Sequence, residues 1–101
     1  MSESEMDEQQ ELKAARQWMI DEHLKRRGIK SSRVVTAMAH VPRQRFVSEP
    51  LKRDAYADRA LAIDCGQTIS QPFIVALMTE KLVAGSAGRK TVLEIGTGCG
   101  Y

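Results

Sequence analysis

The segment that most constrains this chain is Thr91-Val92-Leu93-Glu94-Ile95-Gly96-Thr97-Gly98-Cys99-Gly100, an apolar run that empties into glycines at every second position. Short, apolar and rich in β-branched residues, residues 91–95 read as a buried strand of a parallel sheet, and the glycines after them as a ligand-binding turn. Such a strand and turn normally lead into a helix whose N-terminal N–H groups face the ligand, and then into a further strand carrying an acid for a ribose. Neither follows before Tyr101. The expected fold is therefore α/β, an N-terminal helical segment followed by the start of a Rossmann-like domain. These 101 residues are expected to be the N-terminal part of a longer enzyme and inactive alone.

Glycine spacing narrows the kind of turn. In the dinucleotide fingerprint G-x-G-x-x-G, the glycine after Gly96 and Gly98 would fall at the position of Tyr101. The third glycine is instead Gly100, and Glu94 lies two residues before the first. This pattern resembles motif I of the Rossmann-like S-adenosylmethionine-dependent methyltransferases, in which a bare backbone passes the cofactor without side chains in the way. A plain tight connection, or an enzyme using another nucleotide cofactor, is the alternative reading of the glycines alone.

A second motif, Cys65-Gly66-Gln67-Thr68-Ile69-Ser70-Gln71-Pro72, precedes an amphipathic segment. Pro72 followed by helix formers marks a first helical turn, with Gln71 or Ser70 as the cap. Ile74, Val75, Met78 and Leu82 recur at helical spacing and are expected to face a core, with Glu80 and Lys81 in water. Thr68 and Ser70 then lie at the positive end of a helix, where an anion is stabilised. The competing reading is that Ser70 merely caps that helix.

Three stretches together resemble one family. Val41-Pro42-Arg43-Gln44-Arg45-Phe46-Val47, Gly66-Gln67-Thr68-Ile69-Ser70-Gln71-Pro72 and Val92-Leu93-Glu94-Ile95-Gly96-Thr97-Gly98-Cys99-Gly100-Tyr101 have the order and spacing of protein-L-isoaspartate O-methyltransferases. The resemblance covers about residues 12 to 101, and the heptapeptide around Thr68 is its most diagnostic part. It implies S-adenosylmethionine as cofactor, held by Glu94, Gly96, Thr97, Gly98 and Gly100. It also implies L-isoaspartyl peptides and proteins as substrates, bound by Thr68, Ile69, Ser70 and Gln71, with Ser70 on the carboxylate that is methylated. The chain departs from the family where a proline and a glycine are common, at Ala62 and Asp64.

The implied chemistry suits the residues. A substrate carboxylate oxygen attacks the methyl carbon of a sulfonium in line, and a carboxylate with a pKa of about 4 is already ionised at neutral pH. No strong general base is required. Neither His23 nor His40 has partners at metal-ligand spacing, so no metal is expected.

The remaining expectations concern organisation. Residues 1–10 read as a disordered acidic extension, 11–58 as a helical region, and 59–101 as substrate loop, helix and first strand of the methyltransferase domain. In the helical region, Leu12, Ala15, Met19, Ile20 and Leu24 form one stripe ending near Gly28, with Trp18 packing at its edge. Ser31 or Ser32 caps a second helix with Val34, Val35 and Met38 inward, ending before Val41-Pro42. Residues 61–63 read as a short extended segment. A net charge of +2 with dispersed basic residues argues against nucleic acid, and Lys25-Arg26-Arg27 reads as a solvated helix end. No run is long and apolar enough for a membrane span and the acidic N-terminus does not read as a signal peptide, so neither is expected, and Cys65 and Cys99 read as small packed free thiols. A cytoplasmic enzyme, monomeric when complete, is expected; a non-catalytic helical module is the alternative.

Overall fold

The computed structural model describes residues 2–85, 88, 91–94, 96 and 98–101. Helix α1 spans Glu3–Trp18 and opens on a reciprocal cap. The Ser2 hydroxyl accepts from the Glu5 N–H at 3.2 Å, and the Glu5 carboxylate accepts from the Ser2 N–H at 3.4 Å. That capping box, with Glu3 and Glu5 on the positive end of the dipole, starts the helix well ahead of Leu12, where the apolar stripe begins. Residues 3–10 are thus helical rather than disordered.

α1 continues without a break into π-helical turns over Met19–Lys25. The Arg26 N–H donates to the Asp21 carbonyl at 3.3 Å, and the Ile29 N–H to the Leu24 carbonyl at 3.0 Å. The first bond is the wider π-helical winding. The second, with the Gly28 N–H on the Lys25 carbonyl at 3.1 Å and Gly28 left-handed, is a Schellman cap that ends the rod. The π-helical turns carry Met19, Ile20 and Leu24. All three are buried. Trp18 is 62% exposed, on the side of the rod away from the core, and is not the packing residue the stripe had implied. The rod ends in a turn at Gly28, as expected.

Helix α2, Ser32–His40, is capped by the Ser31 hydroxyl, which accepts from the Val34 N–H at 3.3 Å. Val34 and Met38 face inward, and the extended Val41 before Pro42 ends the helix. Helix α3, Pro72–Val83, has Pro72 in its first turn and packs Ala76, Phe73, Val75, Leu77 and Val83 on the core. Ile74, Met78 and Leu82 are instead 38, 67 and 47% exposed. This corrects the expected inward face: α3 is apolar nearly all round, so periodicity could not choose a side, and small Ala76 permits the closer approach. Glu80 is not simply in water either, since it accepts from the Lys30 and Ser31 N–H groups at 2.7 Å each.

Between the helices lies a small hairpin. β1 (Leu61–Ala62) pairs antiparallel with β2 (Thr68–Ile69), Leu61 opposite Ile69 with both side chains buried. The Ile63 N–H closes the turn onto the Gln67 carbonyl at 2.9 Å. Cys65 and Gly66 turn the chain with φ of 62° and 67°, and Cys65 is exposed rather than packed. For a residue with a side chain that conformation is strained.

Residues 91–94 do not form the expected buried strand. All four are exposed, Val92 at 52% and Leu93 at 86%, while Ile95 lies outside the described residues. A strand needs hydrogen-bonding neighbours, and among the described residues the β1-β2 pair is the whole of the sheet. Among the described residues the architecture is a helix-rich small domain with two short strands.

Candidate active site

The path from α2 to the hairpin is two 3-10 turns, Arg43–Phe46 and Glu49–Asp54. The first places Arg43 inside the fold, fully buried. Its Nε donates to the Ala55 carbonyl, its Nη2 to the Arg59 carbonyl at 3.4 Å, and its backbone N–H to the Tyr56 hydroxyl at 3.0 Å. That hydroxyl also accepts from Arg16 at 3.5 Å and donates to the Gln44 Oε1 at 2.5 Å. Burial pushes the Arg43 pKa down, and Tyr101 opposes the shift.

Asp58, in the same stretch, gathers three side chains. Arg27 reaches its carboxylate at 2.9 Å, His23 Nδ1 lies 3.7 Å away, and Gln71 Nε2 donates to it at 2.6 Å. Arg27 also lies over the Phe73 ring, 5.3 Å from its centroid. Arg27 is therefore not merely part of a solvated helix end. Through Asp58 it fixes Gln71 at the position where α3 begins.

Of the expected substrate residues, Ile69 is buried and anchors β2, Thr68 and Ser70 are exposed, and Gln71 is half-buried. Gln71 occupies the N-cap position but makes no side-chain cap bond; its carbonyl takes the Ile74 N–H at 3.0 Å. Ser70 is one residue earlier, and among the described residues its hydroxyl bonds nothing. The capping reading of Ser70 is not what the structure has.

Of the expected cofactor residues, Glu94 is exposed and Thr97 lies outside the described residues. Gly96, Gly98 and Gly100 have φ of 76°, 62° and 83°, all left-handed. At Gly98 a Cβ would have room, 3.6 Å from Gln67 Oε1 and 4.0 Å from the Thr68 carbonyl in ordinary van der Waals contact, so the left-handed φ alone favours glycine there. The glycine loop therefore lies beside the β1-β2 hairpin.

Its far end is held by the third motif. The Tyr101 ring stacks under Arg43 at 4.9 Å and meets Phe46 edge-on at 5.4 Å, while its hydroxyl lies 4.0 Å from Met38 Sδ. Burial pushes the Tyr101 phenol pKa up, and the Arg43 charge works against that shift. All three motif stretches thus meet in space. Cys99, half-buried, adjoins this contact as a free thiol. A groove of about 720 Å³ runs elsewhere, between α1 and Gln44, Arg45 and Lys52, and holds none of the loop residues.

Arg43, Tyr56, Asp58 and Tyr101 were missed as site-building residues. The Val41-Pro42-Arg43 stretch was the available signal, but a motif does not name its partners.

The structure defines its class as a helix-rich domain that sets a polar hairpin, at the start of a helix, against a glycine loop. The family model Protein-L-isoaspartate(D-aspartate) O-methyltransferase matches residues 14–101, and the chain belongs to that family. It is 55% identical over 78 residues to the protein-L-isoaspartate O-methyltransferase of Parvibaculum lavamentivorans, covering 77% of this chain and 34% of that protein. With the protein of that name from Nitrobacter winogradskyi it shares 57% over 83 residues, 82% of this chain and 37% of the relative. With that from Herpetosiphon aurantiacus it shares 52% over 86 residues, 85% and 38% respectively. The chain spans little more than a third of the length of these curated relatives. Among the described residues no helix is long and apolar enough to cross a membrane.

Proposed function

We propose that the protein carrying this chain transfers a methyl group from S-adenosylmethionine to the carboxylate of L-isoaspartyl residues in peptides and proteins. One observation carries the reading beyond family membership: the glycine loop runs beside the hairpin, so that a Cβ placed on Gly98 would come within 4.0 Å of Gln67 and Thr68. Three left-handed glycines leave a backbone bare enough for a close-fitting cofactor, so the loop suits the group the family implies. When bound, S-adenosylmethionine supplies an electrophilic methyl group on a sulfonium.

The chain's own residues do the positioning. Ser70 presents a free hydroxyl, and the positive end of the α3 dipole favours a carboxylate beside it, even though Pro72 has no N–H and the Ile74 and Val75 N–H groups already bond the Gln71 carbonyl. Thr68 offers a second hydroxyl from β2, and Gln71 is held ready by Asp58. A carboxylate is already ionised at neutral pH, so orientation and partial stripping of its water are the tasks, without proton transfer. Glu94, Gly96, Thr97, Gly98 and Gly100 form the cofactor side. The reading extends to a Rossmann-like domain, of which residues 59–101 are the first part, in a cytoplasmic monomer. The methyl ester would cyclise to a succinimide unaided, and hydrolysis would return some normal aspartate.

The test is transfer of a labelled methyl group by the native protein. A peptide containing L-isoaspartate should be labelled, and the same peptide with L-aspartate hardly at all. Equal labelling would remove the substrate assignment, and no labelling of either would remove the activity.

A further inference from the structure

Arg43 is costly where it sits. Among the described side chains no carboxylate pairs with it, and its Nη1 is buried with no hydrogen-bond partner. A buried, incompletely bonded cation is poor value for stability, and an apolar side chain of similar length commonly fills such a space at lower cost. What the guanidinium does, and an apolar chain could not, is join two segments far apart in sequence.

On one side its fork grips the Ala55 and Arg59 carbonyls, which bracket Asp58, the residue that holds Gln71 at the end of the substrate hairpin. On the other side its face covers the Tyr101 ring at the end of the glycine loop. We infer that Arg43 is a positioning residue that couples the two loops, so that ordering the glycine loop orders residues 67–71 as well. The roles of the two loops rest on the function proposed above; the coupling itself does not. A planar fork that stacks is essential to this arrangement, and lysine, with one rotatable ammonium, cannot replace it.

Amide hydrogen exchange on the native protein without ligand reads the coupling directly. Arg43→Lys and Tyr101→Ala should each speed exchange about tenfold both at Gly98 to Tyr101 and at residues 67–71, with residues 19–24 unchanged. Combining them should add little, because they break the same link. Tyr101→Phe keeps the ring but loses the hydroxyl that faces Arg43 and Met38, so its effect at both segments should be smaller than that of Tyr101→Ala. If Arg43→Lys unfolds the protein, Tyr101→Ala still tests the link from the loop side. The inference is overturned if Tyr101→Ala leaves residues 67–71 unchanged, or if the two effects add fully. Adding S-adenosylmethionine should slow exchange at residues 67–71 in the native protein and not in Arg43→Lys. A native protein that does not bind it would refute the proposed function, while the ligand-free comparison would still decide the role of Arg43.

Discussion

Ser70 shows how one residue's reading changes when its neighbours are placed. In the sequence, its position before Pro72 fits a helix cap as well as a substrate donor. In the structure the N-cap position belongs to Gln71, and the Ser70 hydroxyl is exposed and unbonded. Ser70→Ala in the native protein should therefore leave the unfolding midpoint nearly unchanged, within about 0.5 kcal/mol of stability. If its hydroxyl bonds the attacking carboxylate, kcat/KM for an isoaspartyl peptide should fall by roughly tenfold to over a hundredfold, the equivalent of about 1.5–3 kcal/mol. Steady-state kinetics and denaturant titration on one preparation separate the outcomes; intact catalysis with lowered stability would return Ser70 to a capping role. The residues that hold the site were less legible. Arg43 appeared as part of a motif and Tyr101 as a position where a glycine was missing. Their contact spans more than half of the chain, and no local pattern encodes so long a reach.

Elements were legible where a terminus carried its own chemistry. Ser31 before Val34 and Val35, Pro72 before helix formers, and Gly28 after a basic run each marked a boundary that the structure keeps. Faces and pairings were not legible when the decisive partner lay elsewhere. α3 is apolar on nearly every side, so its core face was set by contact with α2 and the π-helical turns rather than by its own spacing. Residues 91–94 have a strand's composition and no strand beside them among the described residues. Glu80 is the clearest case of a cross-element link, because its carboxylate supplies acceptors to the first N–H groups ahead of α2. Those bonds hold its pKa below the ordinary glutamate range, so its contribution to stability is complete above about pH 4.3 and is lost as pH falls through the lower folded value. Glu80→Gln should thus lower the melting temperature at neutral pH, and the gap from the native protein should close in acid. A gap that stays constant from neutral pH to about pH 3 would show that the charge contributes nothing.

At the scale of the molecule, a buried core and an exposed apolar segment share one chain. The core runs from Leu12 through Met19, Ile20 and Leu24 to Ile29, Val34, Met38 and Ala76, and joins α1, the π-helical turns, α2 and α3. The glycine loop touches that core through Tyr101, and the apolar residues just ahead of it, Val92 and Leu93, stand in solvent. A cofactor site needs walls, and exposed residues 91–94 provide none for an adenosine. The polypeptide of residues 1–101 by itself should then divide by region in hydrogen exchange. Amides in the π-helical turns and α2 should be protected, those of residues 91–94 should exchange as in an unfolded peptide, and S-adenosylmethionine on the order of millimolar should alter neither. Protection appearing at residues 91–94 when the cofactor is added, or calorimetric binding on the order of micromolar, would mean that the glycine loop and hairpin already form a sufficient site without a surrounding sheet.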